Sequence, residues 1–240
     1  MKKYTKTEKY DSKWISDNWM GPHPLWLLEE LCENLDLCPG MKVLDMGCGK
    51  GITSVFLAKE YGVTVFANDL WISATENQRR FEEAGVTDLV FPIHAEAHAL
   101  PYAEEFFDVA IAIDSYSYYG ADEMYFPCTF SKLVKPGGQF GIVCAGLTQE
   151  FENGVPENLK ELWSADMFTF HSAEWWKKLW GKTGIAEITA CYNIESPKEI
   201  WWPWAKWARE NLGFNDDEFL NADTKNELAL IAMTATKNKK

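Results

Sequence analysis

A short apolar run, Val43-Leu44-Asp45-Met46, breaks at once into Gly47-Cys48-Gly49-Lys50-Gly51, and helical spacing follows from Ile52 to Tyr61. Glycine at every second position lets the chain turn sharply and lets another molecule approach the backbone without Cβ atoms in the way. A helix that starts there presents free N–H groups and the positive end of its dipole to whatever fills the turn. Such a turn can receive a nucleotide pyrophosphate or a carboxylate. It also fixes topology, because a strand fed into a crossover helix returns as a parallel neighbour.

The pattern repeats along the chain. Residues 63–68, 89–94, 108–114 and 138–145 read as four further strands. Helices over 52–61 and 71–84 end at Gly62 and Gly85, and a helix over 121–133, bent at Pro127, joins the fourth and fifth strands. Beyond residue 146 the regularity weakens. A long connection over 147–170 leads to a helix over 172–182, with Ser172 as N-cap. A strand over 185–194, a tryptophan-rich helix over 197–212 and a last strand over 228–236 complete the pattern.

Ahead of the core, residues 1–20 show no clear periodicity and predict a loose arm. Pro22 and Pro24 then open a helix with Leu27, Leu31 and Leu35 on one stripe, ended by Cys38-Pro39-Gly40. The expectation is an α/β protein: a doubly wound, Rossmann-like, seven-stranded and mostly parallel sheet with helical aromatic cap insertions. We expect one domain over residues 1–240. Residues 1–40 form its arm and first helix, 41–146 its ligand-binding core, and 147–240 the cap inserts and last two strands.

Charge narrows the function. With 23 Lys+Arg against 36 Asp+Glu the formal net charge is −13, so the average field repels nucleic acid and anionic lipid. No apolar stretch is long enough to span a membrane, and lysines near the start lack the apolar segment of a secretory signal. The six cysteines form no CxxC pair and no metal-ligand cluster, as expected of buried thiols in a reducing cytoplasm. Twelve tryptophans are present, eight of them between residues 160 and 210.

The spacing of the glycines chooses among ligands. A dinucleotide fingerprint is Gly-x-Gly-x-x-Gly, whereas here glycines alternate and Asp45 precedes them. That turn suits a ligand without pyrophosphate, the acid facing a cationic amine. Asp69, at the end of the second strand, is placed to accept both hydroxyls of a ribose.

Residues 41–145 resemble a class I S-adenosylmethionine-dependent methyltransferase, most like the ubiquinone/menaquinone and cyclopropane-fatty-acid-synthase-like small-molecule branch. The first motif of that family is matched by Val43 through Gly51, and its second acid by Asp69, with Leu70 and Trp71 as the apolar wall against adenine. Its third motif appears as Glu96-Ala97-His98-Ala99-Leu100-Pro101, with Glu where Asp is common, and Leu133 through Gly138 match its turn into the fifth strand. The resemblance implies S-adenosyl-L-methionine as cofactor, S-adenosyl-L-homocysteine as product and a small molecule as methyl acceptor. It assigns Asp45, Gly47, Cys48, Gly49 and Gly51 to the cofactor, together with Asp69, Leu70, Trp71, Glu96, Ala97 and Asp114.

Methyl transfer is an in-line displacement, so holding the acceptor close and collinear supplies much of the catalysis. A base is needed only when the acceptor arrives protonated. Tyr116 and Tyr119, with Tyr118 between them, follow the fourth strand and are candidates for the acceptor pocket; the alternative is packing under the cap. Among histidines His171 is the leading base candidate, ahead of His94 and His98, and no spacing points to a metal. The tryptophans read as cap core, as an aromatic wall for a flat or cationic acceptor, or as a homodimer contact. Two other functions stay open: a catalytically silent cofactor-binding subunit and, disfavoured by the glycine spacing, a nicotinamide-dependent reductase.

Overall fold

The computed structural model describes residues 3–239. Helix α1 (Ser12–Asn18) and helix α2 (Pro24–Cys32) precede strand β1 (Lys42–Met46). Helix α3 (Ile52–Tyr61), β2 (Thr64–Asp69), α4 (Ala74–Ala84), β3 (Val90–His94) and β4 (Phe107–Ile113) follow. Two short helices, α5 (Ser117–Gly120) and α6 (Ser131–Leu133), lead into the long strand β5 (Val134–Leu147). Then come α7 (Glu157–Lys160), α8 (Ala173–Gly181), β6 (Ala186–Asn193), α9 (Pro197–Leu212), α10 (Asp216–Ala222) and β7 (Leu228–Lys237).

The seven strands form one sheet in the order β3-β2-β1-β4-β5-β7-β6. The first five are parallel, and β7 inserts antiparallel between β5 and β6. Strand alternation sorts side chains to two cores. Val43, Val109, Ile111 and Val143 face α2, α3 and α9, whereas Leu44, Ala110, Ile142 and Cys144 face α8 and the segment before β5. The order of strands reverses between β1 and β4, which opens a crevice beyond their carboxyl ends.

Two expectations are corrected. Residues 3–20 are not loose: a 3-10 turn over Thr7–Lys9 and α1 lie on the body, with Tyr4, Ile15 and Trp19 buried. The reason is that their aromatic residues dock on different elements, which erases any period. Tyr4 stacks on Trp26, Tyr10 leans on Phe56, and Trp19 sets its edge against Trp204 and Trp207. Glu29 adds to this by accepting the N–H groups of Lys6 and Thr7 at 3.1 and 3.0 Å.

The helix expected over 121–133 is also broken. A π-helical segment occupies Phe126–Phe130, because Pro127 cannot donate the next helical hydrogen bond. The tryptophan-rich stretch divides between the two faces of the sheet. Trp176 and Trp180 of α8 enter one core, while Trp201 and Trp204 of α9 enter the other.

Candidate functional site

A cavity of about 280 Å³ lies beyond the carboxyl ends of β1 and β4. Its floor is the glycine turn. Gly47 and Cys48 donate their N–H groups to the carbonyl of Asn68 at 2.8 and 3.0 Å, and Gly51 donates to that of Cys48 at 2.9 Å. Gly47, Gly49 and Gly51 all adopt positive φ, so glycine is required by the turn itself. Space requires it too: a Cβ on Gly51 would strike the Phe81 ring, and one on Gly47 would strike Ser115.

Asp69 braces this turn. Its Oδ2 accepts the Gly49 N–H and its Oδ1 accepts those of Trp71 and Ile72, each at 2.8 Å. Leu70 and Trp71 stand exposed at the rim, Trp71 with its ring edge toward Tyr118 at 5.7 Å. Asn68 is buried on the cavity wall with its amide on the carbonyl of Ala95, and no described residue donates to its Oδ1.

Asp45 lies beneath the turn rather than on the cavity wall. It is fully buried, and its Oδ2 accepts the hydroxyls of Thr53 and Ser54, each at 2.6 Å. Burial pushes its carboxyl up to about 6. Of its two hydroxyl partners, Thr53 reaches the cavity. Cys48 lines the cavity, but burial raises its thiol well above the ordinary range, which makes it a poor nucleophile.

Glu96 and Ala97 form the wall after β3. Glu96 accepts the His98 N–H with one oxygen and meets the ring Nδ1 with the other, both at 2.8 Å. The His98 hydrogen bond is the main reason that this carboxyl lies below its usual range. His94 is tied by Nε2 to the carbonyl of Leu70 at 2.8 Å.

Beyond β4 the chain supplies Asp114, Ser115, Tyr118 and Tyr119 to the cavity. The Tyr119 hydroxyl meets Ser115 Oγ at 3.1 Å and the carbonyl of Met46 at 3.4 Å. Tyr116 and His171, expected near the acceptor, are not at the cavity. Tyr116 is fully buried in the second core among Tyr125, Phe130, Trp176 and Trp180, because its position on the turn faces inward. His171 stacks on Trp175 at 3.6 Å and meets Glu150 at 3.0 Å, which holds it on the α8 side.

The roof is the part of the site that sequence reasoning missed. Asn18, Trp19, Met20, Gly21 and Pro22 cover the cavity, and Lys50 Nζ ties the glycine turn to the carbonyl of Asp17 at 3.0 Å. The available signal was Trp19 beside a Gly-Pro turn, an unusual place for a large apolar residue in a solvated arm. Among the described residues no group of three or more His, Cys, Asp or Glu is placed to hold a metal ion.

Fold and site together define an open-sheet α/β protein with its ligand cavity at the switch point of the sheet. Residues 43–138 match the methyltransferase domain family. Methyltransferase GfsG of Streptomyces halstedii is 33% identical over 143 residues, which are 58% of this chain and 51% of that protein. Sterol 4-C-methyltransferase strm-1 of Caenorhabditis elegans is 29% identical over 175 residues, 71% of this chain and 47% of that protein. The matched part is thus about half the length of these relatives. The crystal structure of the cyclase SpnF superposes with a TM-score of 0.70 at 18% identity, covering 90% of this chain and 81% of that one. That likeness shows the fold alone, and activity has to be argued from the site.

S-adenosyl-L-methionine, the group such a domain implies, fits the residues present. Gly47, Cys48 and Gly49 bring the turn to the cavity wall, and Asn68, which also lines it, has a buried side-chain oxygen with no donor among the described residues. Asp69 and Glu96 add carboxylate oxygens on one wall, and Trp71 an aromatic face at the rim.

Proposed function

We propose that this chain transfers a methyl group from S-adenosyl-L-methionine to a small-molecule acceptor. The observation that carries the reading is the bracing of the glycine turn by Asp69 on the floor of the switch-point cavity. Bound there, the cofactor supplies an electrophilic methyl group on a sulfonium. The chain's own residues bind, orient and exclude water. Gly47 to Gly51 seat the amino-acid end, with Asp45 acting through Thr53. Asp69 accepts ribose hydroxyls, and Glu96, Ala97, Leu70 and Trp71 flank the adenine.

The acceptor enters between Trp71, Tyr118 and the roof at Met20, all of which line the cavity. Trp19 and Pro22 close it from water, so proximity and a dry site do most of the work. An acidic protein with unpaired cysteines fits a small-molecule enzyme of the reducing cytoplasm better than a nucleic-acid enzyme. No helix among the described residues is long and apolar enough to cross a membrane.

The test is isotope transfer. Methyl-labelled S-adenosyl-L-methionine, the protein and a mixed metabolite extract are expected to yield one labelled small molecule. Tight cofactor binding without label in any product would favour the silent-subunit reading instead.

A further inference from the structure

Helix α4 buries two side chains, Asn77 and Phe81, one turn apart on the same face. Both dock on the glycine turn. Phe81 fills the space beside Gly51, as an apolar ring can. Asn77 is the less ordinary partner, because its amide is a poor helix former and is costly to bury without hydrogen bonds. Ser73 and Glu76 close a capping box at the start of this helix, which fixes the platform that carries both residues.

The hydrogen bonds show what the amide holds. Asn77 Nδ2 donates to the carbonyl of Gly49 at 2.9 Å and lies 3.7 Å from Cys48 Sγ. Its Oδ1 accepts from Arg80 Nη1 at 3.0 Å. That bond sets the sense of the amide: turned over, it would put oxygen against the Gly49 carbonyl and nitrogen against the guanidinium. The N–H of the same glycine goes to Asp69. Gly49 is thus gripped from two sides, by the end of β2 and by α4. Asn77 stands behind the turn, whereas Gly49 and Lys50 line the cavity.

A trans peptide points its carbonyl and its N–H in opposite directions. The Gly49 carbonyl is drawn toward α4, so the N–H of Lys50 across the same bond is turned away from that helix. No described residue accepts it. Lys50 Nζ is turned to the carbonyl of Asp17, which leaves the backbone N–H as the free donor of this residue. Gly49 has φ +55°, and glycine resists rotation of the next peptide less than any other residue, so an outside hold has to choose its sense. Resting on the methyl-transfer reading, we propose that Asn77 is a positioning residue: by holding the Gly49 carbonyl back, it presents the Lys50 N–H to the carboxylate at the amino-acid end of the cofactor. The opposite sense would set a carbonyl oxygen before that carboxylate and repel it.

The test compares S-adenosyl-L-homocysteine with methylthioadenosine, which keeps the adenosyl thioether and lacks the amino-acid end. Calorimetry follows both ligands in the wild type, in Asn77→Leu and in Asn77→Asp, neither of which brings an amide donor to Gly49. In each variant S-adenosyl-L-homocysteine is expected to bind about 10-fold more weakly, with methylthioadenosine within about twofold of the wild type. Asn77→Asp keeps the shape of the native side chain and carries the comparison alone where the leucine variant does not fold. In isotope-labelled wild type, the Lys50 amide proton is expected to move downfield with S-adenosyl-L-homocysteine and to stay near its free position with methylthioadenosine. Parallel losses for the two ligands, no loss for either, or a Lys50 resonance that answers both alike overturns this proposal and leaves the methyl-transfer reading in place. A wild type that binds neither ligand overturns both.

Discussion

Asp69 Oδ2 accepts the amide N–H of Gly49 at 2.8 Å, so the acid that ends β2 holds the middle of the turn that leaves β1. Two neighbouring strands thereby share one rigid corner, and its other oxygen fixes the start of the segment carrying Trp71. Charged hydrogen bonds of this kind are worth about 1.5–3 kcal/mol each. We expect Asp69→Ala to weaken S-adenosyl-L-homocysteine binding by about 100-fold or more, read by calorimetry. Asp69→Asn should fall between, since its amide nitrogen cannot accept from Gly49.

The glycine turn separates backbone strain from crowding. Gly51→Ala adds a left-handed alanine and a clash with Phe81, whereas Gly154→Ala adds only the first, since nothing lies near Gly154. Left-handed alanine costs about 1 kcal/mol, and overpacking a buried site adds about 1–3 kcal/mol. Urea unfolding should show Gly51→Ala as clearly the worse variant. Equal losses would mean that Phe81 moves aside freely.

Removing Trp19 tests the roof. Trp19→Ala takes away a ring that meets His23, Trp204 and Trp207 edge to face, its indole N–H finding no acceptor among the described residues. The expected loss is about 3 kcal/mol, typical of a large buried aromatic. Because the cavity then opens to water, S-adenosyl-L-homocysteine should also dissociate faster, which stopped-flow fluorescence can follow.

Two raised carboxyls set the acid–base response. Burial lifts Asp45 to about 6 and Asp114 to about 7. The folded state therefore keeps protons that the unfolded chain gives up near pH 4, and stability falls as pH rises from about 4 to 7. Asp114→Asn removes its share, so the variant should gain on the order of 1 kcal/mol at pH 8 and little at pH 4. Thermal melts at both pH values check the sign. A variant that melts lower at pH 8 would mean that the carboxylate has a stabilising partner.

Much of this was readable in advance, for physical reasons that differ by region. Strands such as Val109-Ala110-Ile111 are buried on both faces, and the glycine turn admits few residues, so local sequence dictates both. Position on the cavity wall was readable for Asp69, whose place at a strand end follows from topology. Tyr116 and Tyr119 could not be told apart, because one residue of rotation on the turn after β4 decides which ring meets the cavity. Tyr4 and Trp19 gave no period because each docks on a different element. Pro127 marked a break, but the π-helical register around it depends on the packing of Phe126 and Phe130.

The central claim is that the turn at Gly47–Gly51, held by Asp69, seats an adenosyl ligand. Isothermal titration of the folded protein with S-adenosyl-L-homocysteine addresses it most directly. A saturable one-to-one isotherm, weakened by Asp69→Ala, is the predicted result. No heat with that compound or with S-adenosyl-L-methionine, alongside tight binding of a nicotinamide dinucleotide, would contradict it.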